Sequence, residues 1–297
     1  MLKKIKKVFL KYPSQQASNK PAKPITLNIN GLLLTIDPSD FGATAYESKG
    51  SYEELANPIY KEIKKISNPL LVIDIGSNYG FTGLVFAQNF PDAKFLLVEA
   101  DARLCQFIKQ NFKQNGFSNF KVINAICGEK DGVNNDFSLN PTSSQDNRVV
   151  GESNKWVKKS VTSVSLSNLI GSNLIESSIF IKIDTQGYEE HVFKGGHNFL
   201  TKNNNWIIKT EFAPYWLNSQ GTNPVNLLNY ITSTFHVVEL PARSSFLSNS
   251  ISDILKYKLL PSNSENFINY ITSLNKENRG WCDLLIIPKK HQLISKL

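Results

Sequence analysis

Cysteine is scarce in this chain. Only Cys105, Cys127 and Cys282 occur in 297 residues, far apart and odd in number. With no CxxC pair they frame neither a disulfide scaffold nor a zinc knuckle, and they fit a reducing compartment. Long apolar runs are missing as well: none approaches the ~18 residues of a membrane-spanning helix. The apolar part of the N-terminus is too short and too interrupted for a secretory signal, so the expected location is cytoplasmic. The four histidines form no HxxxH or HExxH, and no metal site is assigned.

Acidic residues are absent from residues 1–25, which carry seven lysines. The net charge is +8, so eight minus seven leaves +1 for the rest of the chain. A near-neutral body is a poor electrostatic footprint for nucleic acid, and no nucleic-acid partner is expected. Residues 1–12 read as a short basic helix with Leu2, Ile5, Val8 and Phe9 on one side. Three readings stay open for it: a solvated tail, a weak peripheral contact with anionic lipid at the inner face of a membrane, or a docking peptide.

What is present is a βαβα rhythm. Residues 1–24 form a basic tail and linker, and 25–69 an N-terminal hairpin, turning at Asn30-Gly31, with a helix over 51–66 capped by Ser51 and Glu54. The core is placed at 70–240, a lid or specificity insertion at 241–280, and the last sheet strand with a C-terminal tail at 281–297. Strands are predicted at 70–75, 94–99, 120–126, 179–184, 206–212, 235–240 and 282–287, and helices at 80–89, 102–115, 188–201 and 223–233. This alternation predicts an α/β fold with a mostly parallel sheet covered by helices on both faces. Residues 131–160 and 241–280 interrupt the rhythm, as lid-like insertions over a ligand crevice do.

The most informative stretch is Leu-Val-Ile-Asp-Ile-Gly-Ser-Asn-Tyr-Gly (71–80), a strand running into a glycine turn. Asp74, Gly76 and Gly80 stand at D-x-G-x-x-x-G spacing, and Glu99 closes the next apolar run, Phe95-Leu-Leu-Val98. A glycine turn after one strand and an acid ending the next is how a Rossmann-like sheet holds a nucleoside, the acid pairing with the ribose hydroxyls. Residue 78 is Asn, so the second glycine that admits a pyrophosphate is missing, and there is no Gly-Lys-Ser/Thr ending. An uncharged turn with Asp74 before it suits a ligand without phosphate and with a cationic end. S-adenosyl-L-methionine is such a ligand, its ammonium directed at Asp74 and the turn's carbonyls and its ribose at Glu99.

Asp-Ile-Gly-Ser-Asn-Tyr-Gly (74–80), Val-Glu-Ala (98–100), Asn111, Asn115, Ile-Lys-Ile-Asp-Thr-Gln-Gly-Tyr-Glu (181–189) and Lys-Gly-Gly (194–196) resemble the FkbM-type methyltransferases over roughly residues 45–240. The family pattern often has Glu where Gln186 stands. The resemblance implies a Rossmann-like class I methyltransferase sheet of seven mostly parallel strands. It also implies S-adenosylmethionine-dependent O-methylation of a hydroxyl on a small molecule or glycan, often a sugar of a glycolipid. Cofactor contacts are then expected at Asp74, Gly76, Ser77, Asn78, Gly80, Glu99, Ala100, Ala125 and Ile126, the last two lining the adenine.

On the chemical side Asp184 ends the apolar strand Ile179-Phe-Ile-Lys-Ile183 at the edge where open-sheet crevices lie. It is read as contacting the acceptor or accepting its proton, with capping of the next helix as the alternative. Glu211 ends the neighbouring strand, and the two carboxylates are read as a pair that orients a diol, a divalent metal being the lesser alternative. Glu189 is either a third catalytic carboxylate or a partner of the helix dipole. Asn78 either bonds the ligand or ties its own loop, and Ser143, Ser144 and Asn147 either touch ligand or are solvated. His191 is a candidate base or a helix-surface residue. Trp156, Tyr215 and Trp216 either stack on a sugar or belong to the core. A nucleic-acid methyltransferase and a non-catalytic binding module are the competing functions.

Overall fold

A computed structural model describes residues 23–49, 57–151, 154–171, 178–240 and 250–294. The expected basic helix over 1–12 and the cap at Ser51 and Glu54 lie outside them. The hairpin is β1 (Ile25–Ile29) and β2 (Leu32–Ile36), paired antiparallel. Its turn places Asn30 and Gly31 at φ of 51° and 90°, the left-handed pair that a two-residue hairpin requires. Two helices follow, α1 (Phe41–Lys49) and α2 (Asn57–Ser67).

The alternating core then runs β3 (Leu71–Ile75), α3 (Phe81–Asn89), β4 (Lys94–Glu99), α4 (Ala102–Gln114) and β5 (Phe120–Asn124). An insertion contributes β6 (Ile126–Gly128), β7 (Asn134–Leu139), β8 (Val157–Ser165) and α5 (Leu166–Ile170). The core resumes with β9 (Ile179–Ile183), α6 (Glu189–Lys202), β10 (Trp206–Phe212), α7 (Pro214–Ser219), α8 (Pro224–Thr234) and β11 (His236–Leu240). It closes with α9 (Ile251–Leu255), α10 (Ser264–Ser273) and β12 (Cys282–Ile287).

Seven strands form one sheet in the order β11-β12-β10-β9-β3-β4-β5. β12 runs antiparallel to both β10 and β11, while β10, β9, β3, β4 and β5 pair in parallel. Numbered by their place in the chain, these strands stand in the order 3-2-1-4-5-7-6 when read from β5. The predicted sheet strands and the four helices of the alternating core are found, with ends shifted by a residue or two, and the described part of the helix expected over 51–66 is α2. The expected strand 120–126 is broken at Ala125, and residues 126–128 leave the main sheet to pair with β8.

Three elements differ from the expectation. Helix α1 has no amphipathic pattern. It is fixed by the Phe41 amide donating to the Thr142 carbonyl (2.8 Å) and by the Ser144 amide donating to Asp40 Oδ1 (3.0 Å). Residues 131–160, read as a polar excursion, contain β7 and the start of β8, which pair along Asn134–Thr162 to Leu139–Val157. Residues 250–273 pack α9 on β11 and α2, and α10 on α7 and α8, rather than over the cavity described below.

The core has two apolar layers because strand residues alternate between faces. One layer takes Val72, Phe180, Ile207 and Leu285, and the other takes Ile73, Ile181, Ile208 and Ile286. The first layer is aromatic: Phe180 lies 5.1 Å from Phe86 and 5.9 Å from Tyr60, ring centre to ring centre. Among the described residues no helix is long and apolar enough to cross a membrane.

Candidate active site

The face carrying Val72, Phe180 and Ile207 changes character one step toward the strands' carboxyl ends. There Asp74 pairs with Lys182 across β3 and β9, and Lys182 with Lys209 across β9 and β10. One further step on, Glu211 pairs with Asp283 across β10 and β12. Lys182, Lys209, Glu211 and Asp283 of this row line a cavity of about 630 Å³ at the carboxyl edge of the sheet, within the roughly 300–1,000 Å³ of small-molecule sites.

Lys182 is the hub of that row. Its Nζ donates to the Gly76 carbonyl at 2.9 Å and lies 3.4 Å from both Asp74 Oδ1 and Asp184 Oδ2. Asp74 is fully buried, does not line the cavity and is walled in by α3 at Gly83. The expected pairing of Asp74 with the ligand's ammonium is therefore corrected: the chain's own ammonium already stands between Asp74 and the turn carbonyl. Gly76 makes this closeness possible, since at φ 75° an added Cβ would meet the Asp184 carbonyl oxygen at 1.8 Å. Next along, Lys209 pairs with Asp283 at 3.1 Å.

The turn and its neighbours form one half of the cavity. Gly76, Ser77 and Asn78 line it from the turn, and Glu99 and Ala100 from the end of β4. Glu99 Oε2 accepts from the Asn78 amide (2.8 Å) and Oε1 from the Asp101 amide (2.9 Å), which fixes the carboxylate's direction. Burial pushes Glu99 up to about 7 although these two amides oppose the shift. Ala125 and Ile126 also line the cavity, and Ile126 joins Ala100, Phe137 and Val161 in a separate apolar cluster. Gly80 does not line the cavity; it precedes α3 at φ 82° and faces Ile108 and Phe112.

Asn78 ties the loops together. Its Nδ2 donates to Ser144 Oγ at 3.1 Å, and Tyr46 donates to its Oδ1 at 3.4 Å. Ser144 and Asn147 line the cavity and Ser143 does not. Helix α1 and residues 140–149 therefore meet over the glycine turn. No pattern in α1's own sequence signals this.

The other half is charged. Asp184 and Glu211 both line it, with Lys182, Lys209, Asp283 and Trp281. Glu211 is partly exposed, but its Oε2 is buried with no hydrogen-bond partner. Burial, then the nearby Asp184, Glu189 and Asp283, push the Glu211 carboxyl well up. Glu189, expected among the catalytic carboxylates, is set apart from the cavity. Its Oε1 accepts from the Thr185 amide (2.9 Å), the Thr185 hydroxyl (3.0 Å) and the Gly187 amide (3.2 Å), so it holds the loop after Asp184 in shape.

His191 does not line the cavity; its Nδ1 is 2.9 Å from Glu129 Oε1 and its ring stacks on Tyr188. Of the aromatics considered for stacking, Trp216 is covered by Arg148 (3.8 Å to the ring centre) and Tyr215 by Arg279 (4.3 Å). Arg148 also lies over Trp156 at 5.5 Å. The aromatic that lines the cavity near Asp283 is Trp281, which went unremarked in the sequence. Lys182 and Lys209 went unremarked as site residues too, though a lysine within a run of buried apolar strand residues is the signal that finds them.

The strand order, the antiparallel last strand, the glycine turn and the acid closing β4 define the Rossmann-like fold of class I methyltransferases. A family model described as rRNA small subunit methyltransferase G matches residues 56–140, less than a third of the chain. The ribosomal RNA small subunit methyltransferase G of Syntrophomonas wolfei subsp. wolfei is 40% identical over 52 residues, 18% of this chain and 24% of that protein. The ribosomal RNA small subunit methyltransferase G 3 of Bdellovibrio bacteriovorus is 38% identical over 60 residues, 20% of this chain and 27% of that protein. The chain thus spans about a quarter of the length of these curated relatives.

Among solved structures, a StiE O-MT segment is similar at 11% identity and a TM-score of 0.42, over 86% of this chain and 79% of that one. TrmK of M. capricolum, in complex with S-adenosyl-homocysteine, is similar at 12% identity and a TM-score of 0.38, over 81% and 68%. At these values nothing further rests on either.

One expectation is overturned here. Nucleic acid was excluded as a partner on the near-neutral charge of the body, yet the matching family model and both curated relatives are ribosomal RNA methyltransferases. Net charge sums over the whole surface and carries no information about how charge is distributed around one site, so it could not support that exclusion.

Proposed function

We propose that this chain is an S-adenosylmethionine-dependent methyltransferase of the FkbM type that methylates a hydroxyl, with a sugar as the acceptor class. The observation that carries the reading is the cavity's division. Glu99, aimed by two backbone amides, stands beside an apolar cleft of Ala100, Ile126 and Phe137. That half fits an adenosine, with the carboxylate at the ribose and the cleft at the base. The opposite half presents Glu211 to an acceptor.

When bound, S-adenosylmethionine supplies an electrophilic methyl group. The chain's part is to hold the acceptor oxygen in line with it and to take the oxygen's proton. Glu211 is the group for that proton: its Oε2 is buried and unpartnered, and burial with Asp184 nearby raises its proton affinity. Alignment by the rigid sheet edge supplies the larger part of the rate.

Transfer of labelled methyl from S-adenosylmethionine is to be followed over oligosaccharides and small-subunit ribosomal RNA. The expected result is label on a sugar hydroxyl, and a Glu211→Gln loss of about 10²–10⁴-fold in turnover with S-adenosylhomocysteine binding unchanged. Label in the RNA instead would favour a second reading, ribosomal RNA methylation, to which the match over residues 56–140 points. Unaltered turnover in Glu211→Gln would remove Glu211 from the chemistry.

A further inference from the structure

We infer that Lys182 and Asp184 together form a clamp for the zwitterionic amino-acid end of the cofactor, with Lys182 facing its carboxylate and Asp184 its ammonium. The inference rests on the cofactor reading above and deepens it. The two residues are two apart, Lys182 within β9 and Asp184 just past its end, and both line the cavity. Lys182 Nζ and Asp184 Oδ2 are 3.4 Å apart, so the wall presents a positive and a negative group side by side. An α-amino acid carries the same two charges at a similar separation and in the opposite sense, and two such dipoles lie antiparallel with both charges matched.

The position along the sheet agrees. The pair sits where β3 and β9 abut, at Gly76 and Asp184, between the Glu99 half and the Glu211 half of the cavity. A nucleoside anchored at Glu99 with its reactive atom directed at Glu211 carries its amino-acid branch past this point.

The rest of the row supports the lysine in this task. Asp74 is sealed off from the cavity at 3.4 Å from Nζ, and the Gly76 carbonyl accepts from Nζ at 2.9 Å. These two hold the ammonium in place at the cavity wall, and Asp74 acts on a ligand there through Lys182. Asp184 is the most exposed of the three, its side chain 37% exposed against 6% for Lys182 and 0% for Asp74, and its Oδ1 accepts from Gln186 Nε2 at 3.2 Å. It can turn from Lys182 toward a ligand ammonium without unburying a charge. On this assignment Asp184 binds cofactor, and the proton of the acceptor is left to Glu211.

Binding of two probes separates the clamp from a structural role. S-adenosylhomocysteine carries the amino-acid end, and 5′-methylthioadenosine lacks it while keeping the adenosine and the sulfur. Calorimetric titration of the full chain is expected to show S-adenosylhomocysteine binding at least tenfold tighter than 5′-methylthioadenosine. Asp184→Asn and Lys182→Met are each expected to weaken S-adenosylhomocysteine about tenfold or more and to leave 5′-methylthioadenosine within twofold of its wild-type value.

Lys182→Met alone strands the buried Asp74 charge and can unfold the chain, so Lys182→Met with Asp74→Asn supplies the charge-neutral version. Equal loss of both probes in that double variant and in Asp184→Asn, or no loss of either, overturns the clamp. Wild-type protein that binds the two probes equally overturns it as well. Wild-type protein that binds neither probe removes the cofactor reading itself, a different result from any of these.

Discussion

Glu99 shows how one side chain links stability to ligand capture. Its carboxyl is pushed up to about 7 because it is buried, although the Asn78 and Asp101 amides favour the charged form. A carboxyl raised on folding keeps a proton that the unfolded chain releases. Its contribution to stability is therefore full below the unfolded value near 4.5 and is lost as pH rises to about 7. Pairing with a ribose diol favours the ionised carboxylate, so S-adenosylhomocysteine is expected to bind more tightly as pH rises through 7. The gain approaches a limit of about tenfold per unit on the acid side. Titrations at pH 6, 7 and 8 check it, with Glu99→Gln expected to be weaker and flat. A wild-type profile that is also flat would mean that Glu99 does not meet the ribose.

Glu99 was legible as a site residue from its place after an apolar run, and the structure puts it in the cavity wall. Asp74 had the same kind of signature and is sealed beneath Lys182. The difference lies in what stands opposite each in the neighbouring strand, which a run of sequence does not state.

At the scale of elements, Asn111 of α4 and Asn115, the residue that caps its C-terminal end, explain themselves. Asn111 Oδ1 accepts from the Thr35 amide (2.7 Å), and its Nδ2 donates to the Thr35 carbonyl (3.1 Å) and the Tyr79 carbonyl (2.9 Å). Asn115 does the same one turn on, with the Leu33 amide at 2.8 Å and the Leu33 carbonyl at 2.7 Å. Four residues of helix rise about 6 Å and two residues of strand about 6.6 Å, so the side-chain amides act as a substitute strand for β2. This spacing clamps the N-terminal hairpin to the core.

Asn111 is fully buried and Asn115 is not. Asn111→Leu is expected to cost about 3 kcal/mol or more by orphaning three backbone groups. Asn115→Ala, whose Leu33 partners reach water, is expected to cost about 1 kcal/mol. Urea unfolding of both variants tests the contrast, and equal losses would contradict the assigned burial.

The Lys-Gly-Gly stretch has a reason at the same scale, because a Cβ on Gly195 would stand 2.0 Å from the Gly128 carbonyl oxygen. Helix α6 crosses β6 backbone to backbone, which fixes the cavity's far wall at Cys127 and Tyr188. Strands β7 and β8 escaped the sequence reading because Asn134–Leu139 opens on three polar residues and residues 157–160, which begin β8, are exposed. What makes them strands is their pairing with each other.

For the molecule as a whole, the cavity is shared by parts distant in the chain. Tyr46 of α1, Asn78 of the turn and Ser144 of the insertion meet over it. A ligand seated beneath them binds the folded chain alone, and at a hundred times its dissociation constant adds about 2.7 kcal/mol. Amide hydrogen exchange in residues 41–46 and 142–147 is expected to slow on addition of S-adenosylhomocysteine, with the α10 amides unchanged. Protection confined to α10 would place the ligand elsewhere.

The sequence by itself determined the alternating sheet, the glycine turn, the acid at the end of β4 and the carboxylates at the ends of β9 and β10. Each of these follows from local periodicity and from the rule that open sheets bind at their carboxyl edge. Only the tertiary structure decided that Lys182 reaches the Gly76 carbonyl across 106 positions of chain, that Asp74 is sealed behind it and that Glu189 turns away to hold a loop. It also decided that α1 and residues 140–149 close over the turn. The physical reason is the same throughout: burial and charge pairing are set by which strands lie side by side, and strand neighbours are fixed by the packing of the whole sheet.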